Sequence, residues 1–185
     1  LVREIAKGIE IAALKAEKID SMAFDTWGVD YGLIDENGRL ISLPVHYRDT
    51  RTQGVPKKIF EKISPPELYK KTGIQIMNIN TLFQLASEEN KNIGKILFMP
   101  DLIAYMLCKA VSAEQTIAST SQMLNLHKKQ WQKDIFALTE MPESALPEIV
   151  PSASVAGEYK GIKVIKAAGH DTQCAVCAMP CDASE

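Results

Sequence analysis

The tetrapeptide Gly169-His170-Asp171-Thr172 sets a carboxylate, an imidazole and a hydroxyl side by side behind the apolar run Ile162 to Ile165. That run reads as a strand and the residues after it as a helix. Backbone N–H groups and the helix dipole would then face whatever lies at the strand's end. A carboxylate at Asp171 could act as a general base, taking the proton of a substrate hydroxyl as that hydroxyl attacks phosphorus. His170 would hydrogen-bond the substrate, and Thr172 would hold either substrate or carboxylate. The plain alternative is that Asp171 caps the helix.

A second segment, Asp25-Thr26-Trp27-Gly28-Val29-Asp30, carries two carboxylates around a glycine. Turn chemistry explains such a pattern. Yet Gly28 would let a polar ligand approach the backbone closely, and Trp27 offers a flat apolar face. Sugar sites want that mixture of one apolar surface and several hydrogen bonds. A third segment, Leu43 to Thr52, contains His46, Arg48 and Asp49; a buried, satisfied histidine and a solvated ion pair account for these equally well.

The elements that position these residues alternate in type. Ser21 to Phe24 reads as a short buried strand running into the second segment. Tyr31 to Ile34 and Arg39 to Leu43 read as a hairpin around Asn37-Gly38. Helices follow at Arg51 to Ile63 and at Pro65 to Thr72, the latter closed by Gly73. Asn80 is a suitable cap for a helix from Thr81 to about Lys91. Lys95 to Met99 predicts a strand, Pro100-Asp101 opens a helix, and Val111 to Leu126 reads as loop and short strand. The expected fold class is α/β, a mixed sheet with flanking helices. In such sheets ligands bind beyond the carboxyl ends of strands.

Composition narrows the function classes. The chain has 185 residues, 46% apolar and 24% charged, with a formal charge of -2, which argues against nucleic acid as a partner. No apolar run is long enough for a membrane span. Nothing reads as a secretory leader, so a cytoplasmic protein is expected. An amphipathic helix starting at Leu1 without a cap suggests truncation there, and the chain's other end suggests the same. Cys174, Cys177 and Cys181 follow a C-x2-C-x3-C spacing, while Cys108 stands alone. Three metal ligands are one reading. The expectation is no metal, with all three thiols on the buried stripe of the last helix.

Taken in order, the segments resemble the FGGY family of carbohydrate kinases. Those that carry the likeness are Asp25 to Asp30, Leu43 to Thr52, Gly73 to Leu85, Leu97 to Leu102, Ala118 to Met123 and Ala168 to Thr172. They run from about residue 19 to residue 180, and within the family they are most similar to rhamnulokinases. The resemblance implies two actin-like, ribonuclease-H-like domains and transfer of the γ-phosphoryl group of Mg-ATP to a sugar's primary hydroxyl. For L-rhamnulose the product is L-rhamnulose 1-phosphate. It implies Asp171 as catalytic base, His170 and Thr172 as sugar contacts, and the Gly28 amide as a ketose donor.

No Gly/Ser-rich phosphate loop lies between Leu1 and Asp20, so residues 1–185 are expected to be a partial first domain. The phosphate-loop hairpin and the second domain would lie outside it, together with the residues that contact ATP. The partners expected are a small sugar and ATP. A kinase for another ketose or polyol, such as xylulose, fuculose or a glycerol-like substrate, and a non-catalytic sugar sensor are the alternatives. Asp171 speaks against the sensor, because binding a neutral sugar does not demand a carboxylate beside the reacting hydroxyl.

Overall fold

Strand Ser21–Thr26 (β1) lies parallel to the far end of the chain, beside Ile162–His170 (β9), with Thr26 level with His170. The computed structural model describes residues 1–180. Before β1 comes helix α1 (Val2–Lys15); after it come β2 (Tyr31–Ile34), α2 (Val55–Phe60), α3 (Pro65–Thr72) and α4 (Thr81–Ala86). The middle of the chain forms β3 (Lys95–Phe98), α5 (Met99–Cys108), β4 (Ser112–Glu114), α6 (Gln115–Ser119), β5 (Leu124–Asn125), β6 (Gln130–Trp131) and α7 (Lys133–Phe136). Strands β7 (Glu148–Val150) and β8 (Val155–Tyr159) precede β9, and α8 (Asp171–Cys177) follows it.

The class is mixed α/β, as expected. Among the described residues the strands fall into four small sheets: β1-β9-β8, β2-β3, β4-β7 and β5-β6. β1 with β9 and β4 with β7 are parallel, the other pairings antiparallel. Local chemistry explains several boundaries. The Ser64 hydroxyl accepts the Glu67 N–H at the start of α3, two prolines fill its first turn, and Gly73 ends it at φ +72°. The main core gathers Leu68, Leu82, Phe83, Phe98, Ile117, Ile135 and Phe136 between the helices and the β2-β3 pair. Helix α5 packs on β1, β8 and β9.

Four local expectations are corrected. β1 is not buried: its residues alternate between exposed and half-buried, because among the described residues it is an edge strand with β9 as its single strand neighbour. The Asn37-Gly38 turn forms, with Gly38 at φ +77°. Its second arm, however, reduces to a single bridge between Ile34 and Leu40, and β2 pairs along its length with β3 instead. The arm after Gly38 is itself largely apolar, but Leu40 and Ile41 leave the strand path and pack against the core as loop residues, while β3 supplies β2 with a full antiparallel ladder. Asn80 precedes α4 but does not cap it with its side chain. Its amide instead donates to the Gln75 carbonyl at 2.9 Å and to Gln122 Oε1 at 2.7 Å.

The last correction concerns α8, in which no residue is fully buried. The helix leans on β9 and β1 by one side. Cys174 is half-buried and Cys177 exposed, while Cys181 lies outside the described residues.

Candidate functional site

Because β1 and β9 are parallel and in register at Thr26 and His170, the two segments that follow them emerge at the same edge. A cleft of about 400 Å³ opens there. Trp27 and Gly28 form one side and His170 and Asp171 another; Ser119 and Thr120 at the end of α6, Tyr47, and Ile74, Gln75, Met77, Ile79 and Asn80 line the rest. Three of the four residues singled out by sequence, Gly28, His170 and Asp171, thus line one cavity. Thr172 does not line it. Its N–H donates to Asp171 Oδ1 at 2.7 Å and its hydroxyl lies 3.3 Å from the same oxygen, so it orients the carboxylate. The Asp171 side chain is 53% exposed, and His170 Nε2 lies 3.6 Å from its Oδ1.

The loop after β1 is held from several directions. Val29, a β-branched residue, sits at φ 69°, a conformation that costs on the order of 1–3 kcal/mol. Its N–H donates to Thr120 Oγ1 at 3.0 Å, and its carbonyl accepts from Thr81 Oγ1 at 2.7 Å and Gln84 Nε2 at 3.3 Å. The Gln84 amide is itself fixed by Arg51, whose guanidinium donates to Gln84 Oε1 at 2.7 Å and pairs with Glu88 at 2.7 Å. Asp30 is buried and accepts from Trp27 Nε1 at 2.8 Å and from the Tyr47 N–H at 3.2 Å. It therefore positions two aromatic walls of the cleft. Asp25 is exposed and does not line the cleft.

Within the third segment, His46 is exposed rather than buried; its ring stacks on Tyr47 with centroids 4.3 Å apart and stands 6.3 Å from Trp27. Asp49 caps a 3-10 turn by accepting the Arg51 N–H. Tyr47 and Thr120 are among the cleft residues to which the sequence reading gave no role. No sequence signal marked Thr120; the fold brings it against Gly28, where a Cβ would come within 2.9 Å of Thr120 Cγ2 and 3.1 Å of its Oγ1.

Gly28→Ala is accordingly expected to destabilise the fold by about 1–3 kcal/mol, because Thr120 cannot rotate away without releasing Val29. Thr120→Ser in the same chain removes Cγ2 and should recover part of the loss. Denaturant unfolding of the single and double variants checks both.

Residues 2–184 match the FGGY family of carbohydrate kinases, N-terminal domain. The chain belongs to that family. It is 38% identical over 196 residues to a rhamnulokinase of Bacteroides thetaiotaomicron, an alignment that takes in 97% of this chain and 40% of the relative. A rhamnulokinase of Lactiplantibacillus plantarum is 35% identical, with 97% and 40% covered. This FGGY chain thus spans about two-fifths of the length of the curated relatives it matches. Among solved structures, a ligand-bound xylulose kinase from Lactobacillus acidophilus superposes with TM-score 0.79 at 15% identity, covering 89% of this chain and 37% of that one. The glycerol kinase of Plasmodium falciparum with ADP gives TM-score 0.77 at 19% identity, with 91% and 38% covered. Those likenesses carry the fold.

Cys108, Cys174 and Cys177 of this FGGY chain do not line the cleft. The Cys174 thiol donates to the Ala168 carbonyl at 2.9 Å. Burial, aided by the Asp25 carboxylate, pushes it above its ordinary pKa. It stays a protonated hydrogen-bond donor at neutral pH. Among the described residues no three His, Cys, Asp or Glu side chains converge as metal ligands. No helix among them is long and apolar enough to cross a membrane.

Proposed function

We propose that this chain forms the sugar-side half of the active site of a cytoplasmic ATP-dependent kinase that phosphorylates the primary hydroxyl of L-rhamnulose, giving L-rhamnulose 1-phosphate. The observation that carries this reading is the meeting of Asp171 and His170 with Trp27 and Gly28 across one cleft. The carboxylate of Asp171 accepts the hydroxyl proton as the oxygen attacks phosphorus. Thr172 holds that carboxylate in place. His170 and the Gly28 amide hydrogen-bond the ketose, and the Trp27 ring covers its apolar face. Among the described residues no partner takes the Gly28 N–H, which leaves it free to donate.

Among the described residues the lining holds one carboxylate and no lysine or arginine. That fits a neutral polyhydroxylated molecule and does not fit a triphosphate, which calls for several cationic or amide donors. Mg-ATP is therefore assigned to parts of the kinase outside this chain, in keeping with the 40% of the relatives' length that it spans. On this proposal residues 1–185 are part of the first domain. A phosphate-binding hairpin precedes them and a second domain follows.

A coupled ADP-release assay, with calorimetric titration alongside, tests the reading. The whole kinase is expected to release ADP with L-rhamnulose in preference to D-xylulose, L-fuculose or glycerol. The chain alone is expected to release none above the no-sugar background, since holding both substrates in line supplies much of such a rate. Turnover by the chain alone would reveal a phosphate-binding element within it. Preference for one of the other three substrates would move the kinase to another member of the family's substrate range.

A further inference from the structure

We infer that Glu114 is a positioning residue that sets the distance between the Asp171 wall of the cleft and the Gly28–Thr120 wall; the inference rests on the kinase reading above. Glu114 closes β4, is 1% exposed and has five donors converging on its carboxylate. Oε2 accepts the Thr116 N–H at 2.9 Å, the Thr116 hydroxyl at 2.5 Å and the Ile117 N–H at 3.2 Å, which caps α6. The same oxygen accepts the Gly169 N–H at 2.9 Å, and Oε1 accepts the Ser152 hydroxyl at 2.6 Å.

A cap alone does not account for this arrangement. Serine, threonine or asparagine would satisfy the start of α6 without burying a charge, and a buried charge is costly unless its bonds repay it. What the longer carboxylate adds is reach to Gly169, the residue directly before His170 and Asp171. The approach is tight: a Cβ on Gly169 would lie 3.3 Å from Glu114 Oε2 and 3.4 Å from Ile117. Helix α6 ends in Ser119 and Thr120, and Thr120 holds the Val29 N–H beside Gly28. One carboxylate thus ties the strand end that carries the proposed base to the helix that braces the opposite wall. Thr116 adds a second tie, its hydroxyl accepting the His170 N–H at 3.4 Å.

Two conservative variants separate capping from positioning because they fail in opposite ways. Glu114→Asp keeps the charge and is a good helix cap, but one methylene shorter it withdraws from Gly169. Glu114→Gln keeps the length and a carbonyl acceptor but loses the charge. The measurements are kcat and KM of the whole kinase with L-rhamnulose, together with amide exchange at Gly169 and Ile117 followed by NMR.

Glu114→Asp is expected to lower kcat roughly 10- to 100-fold with KM changed far less, since a misplacement of about 1 Å costs on that order. Gly169 then exchanges faster while Ile117 stays protected, and Glu114→Gln retains most of both. A Glu114→Asp kinase with normal kcat and a protected Gly169 overturns the inference, as does a Glu114→Gln kinase as impaired as Glu114→Asp. If the unmodified kinase phosphorylates none of the sugars, the kinase reading fails by itself. The exchange ranking still reports separately whether Glu114 holds Gly169.

Discussion

Replacing Asp171 with asparagine is expected to lower kcat of the whole kinase by at least ~10²-fold while leaving sugar affinity within about threefold. The substitution is nearly isosteric. An amide oxygen can still accept the Thr172 N–H that now meets Asp171 Oδ1 at 2.7 Å, so the turn into α8 keeps its shape. What is lost is the capacity to take a proton. The side chain opens α8 directly behind His170, and more than half of it is exposed to the cleft and solvent. Steady-state kinetics with calorimetric titration of L-rhamnulose separates the two effects. Near-normal turnover by Asp171→Asn would remove Asp171 from the chemistry, and lost sugar binding would make it a binding residue instead.

Lys166→Met is expected to destabilise the fold by about 3–5 kcal/mol at neutral pH, because it strands a buried carboxylate. Lys166 sits in β9, a few residues before the proposed base, and its ammonium group donates to Asp101 Oδ1 at 2.5 Å and to the Ser112 carbonyl at 3.1 Å. Both side chains are almost wholly inaccessible, and Asp101 Oδ2 is buried without a partner among the described residues. For a chain of this size the loss corresponds to a Tm lower by roughly 6–20 °C. The double variant Lys166→Met/Asp101→Leu removes the stranded charge and should recover most of it.

The same pair fixes a pH dependence. Burial pushes the Asp101 carboxyl up from 3.8 to about 6, although the neighbouring Lys166 charge pulls the other way. The folded value lies above the unfolded one, so the native state holds the proton more tightly. The stability this group contributes is complete below 3.8 and is lost as pH rises through about 6. Removing Lys166 takes away the opposing pull and extends that window upward. The Lys166→Met penalty should therefore be smaller at pH 5 than at pH 8. Thermal melts at the two values check it, and an equal loss at both would show that removing Lys166 leaves the protonation of Asp101 unchanged across that range.

What the sequence determined by itself was local. Gly169-His170-Asp171-Thr172 was legible as a strand passing into a helix, and Pro65-Pro66 with Gly73 as the ends of α3, because first-turn prolines and left-handed turns depend on a residue and its immediate neighbours. The Asn37-Gly38 turn was legible for the same reason, although its second arm was not. Strand pairing answers to which apolar faces bury each other, and β2 found β3. Tertiary structure alone decided that β1 lies against β9 and so brings Gly28 to Asp171. It alone decided that Thr120 meets Gly28, that Glu114 reaches Gly169, and that Lys166 finds Asp101. Each of these is a polar or close-packed contact between residues far apart in the chain. Burial demands that such a group find a partner, but the sequence around it carries no mark of which partner the folded chain supplies.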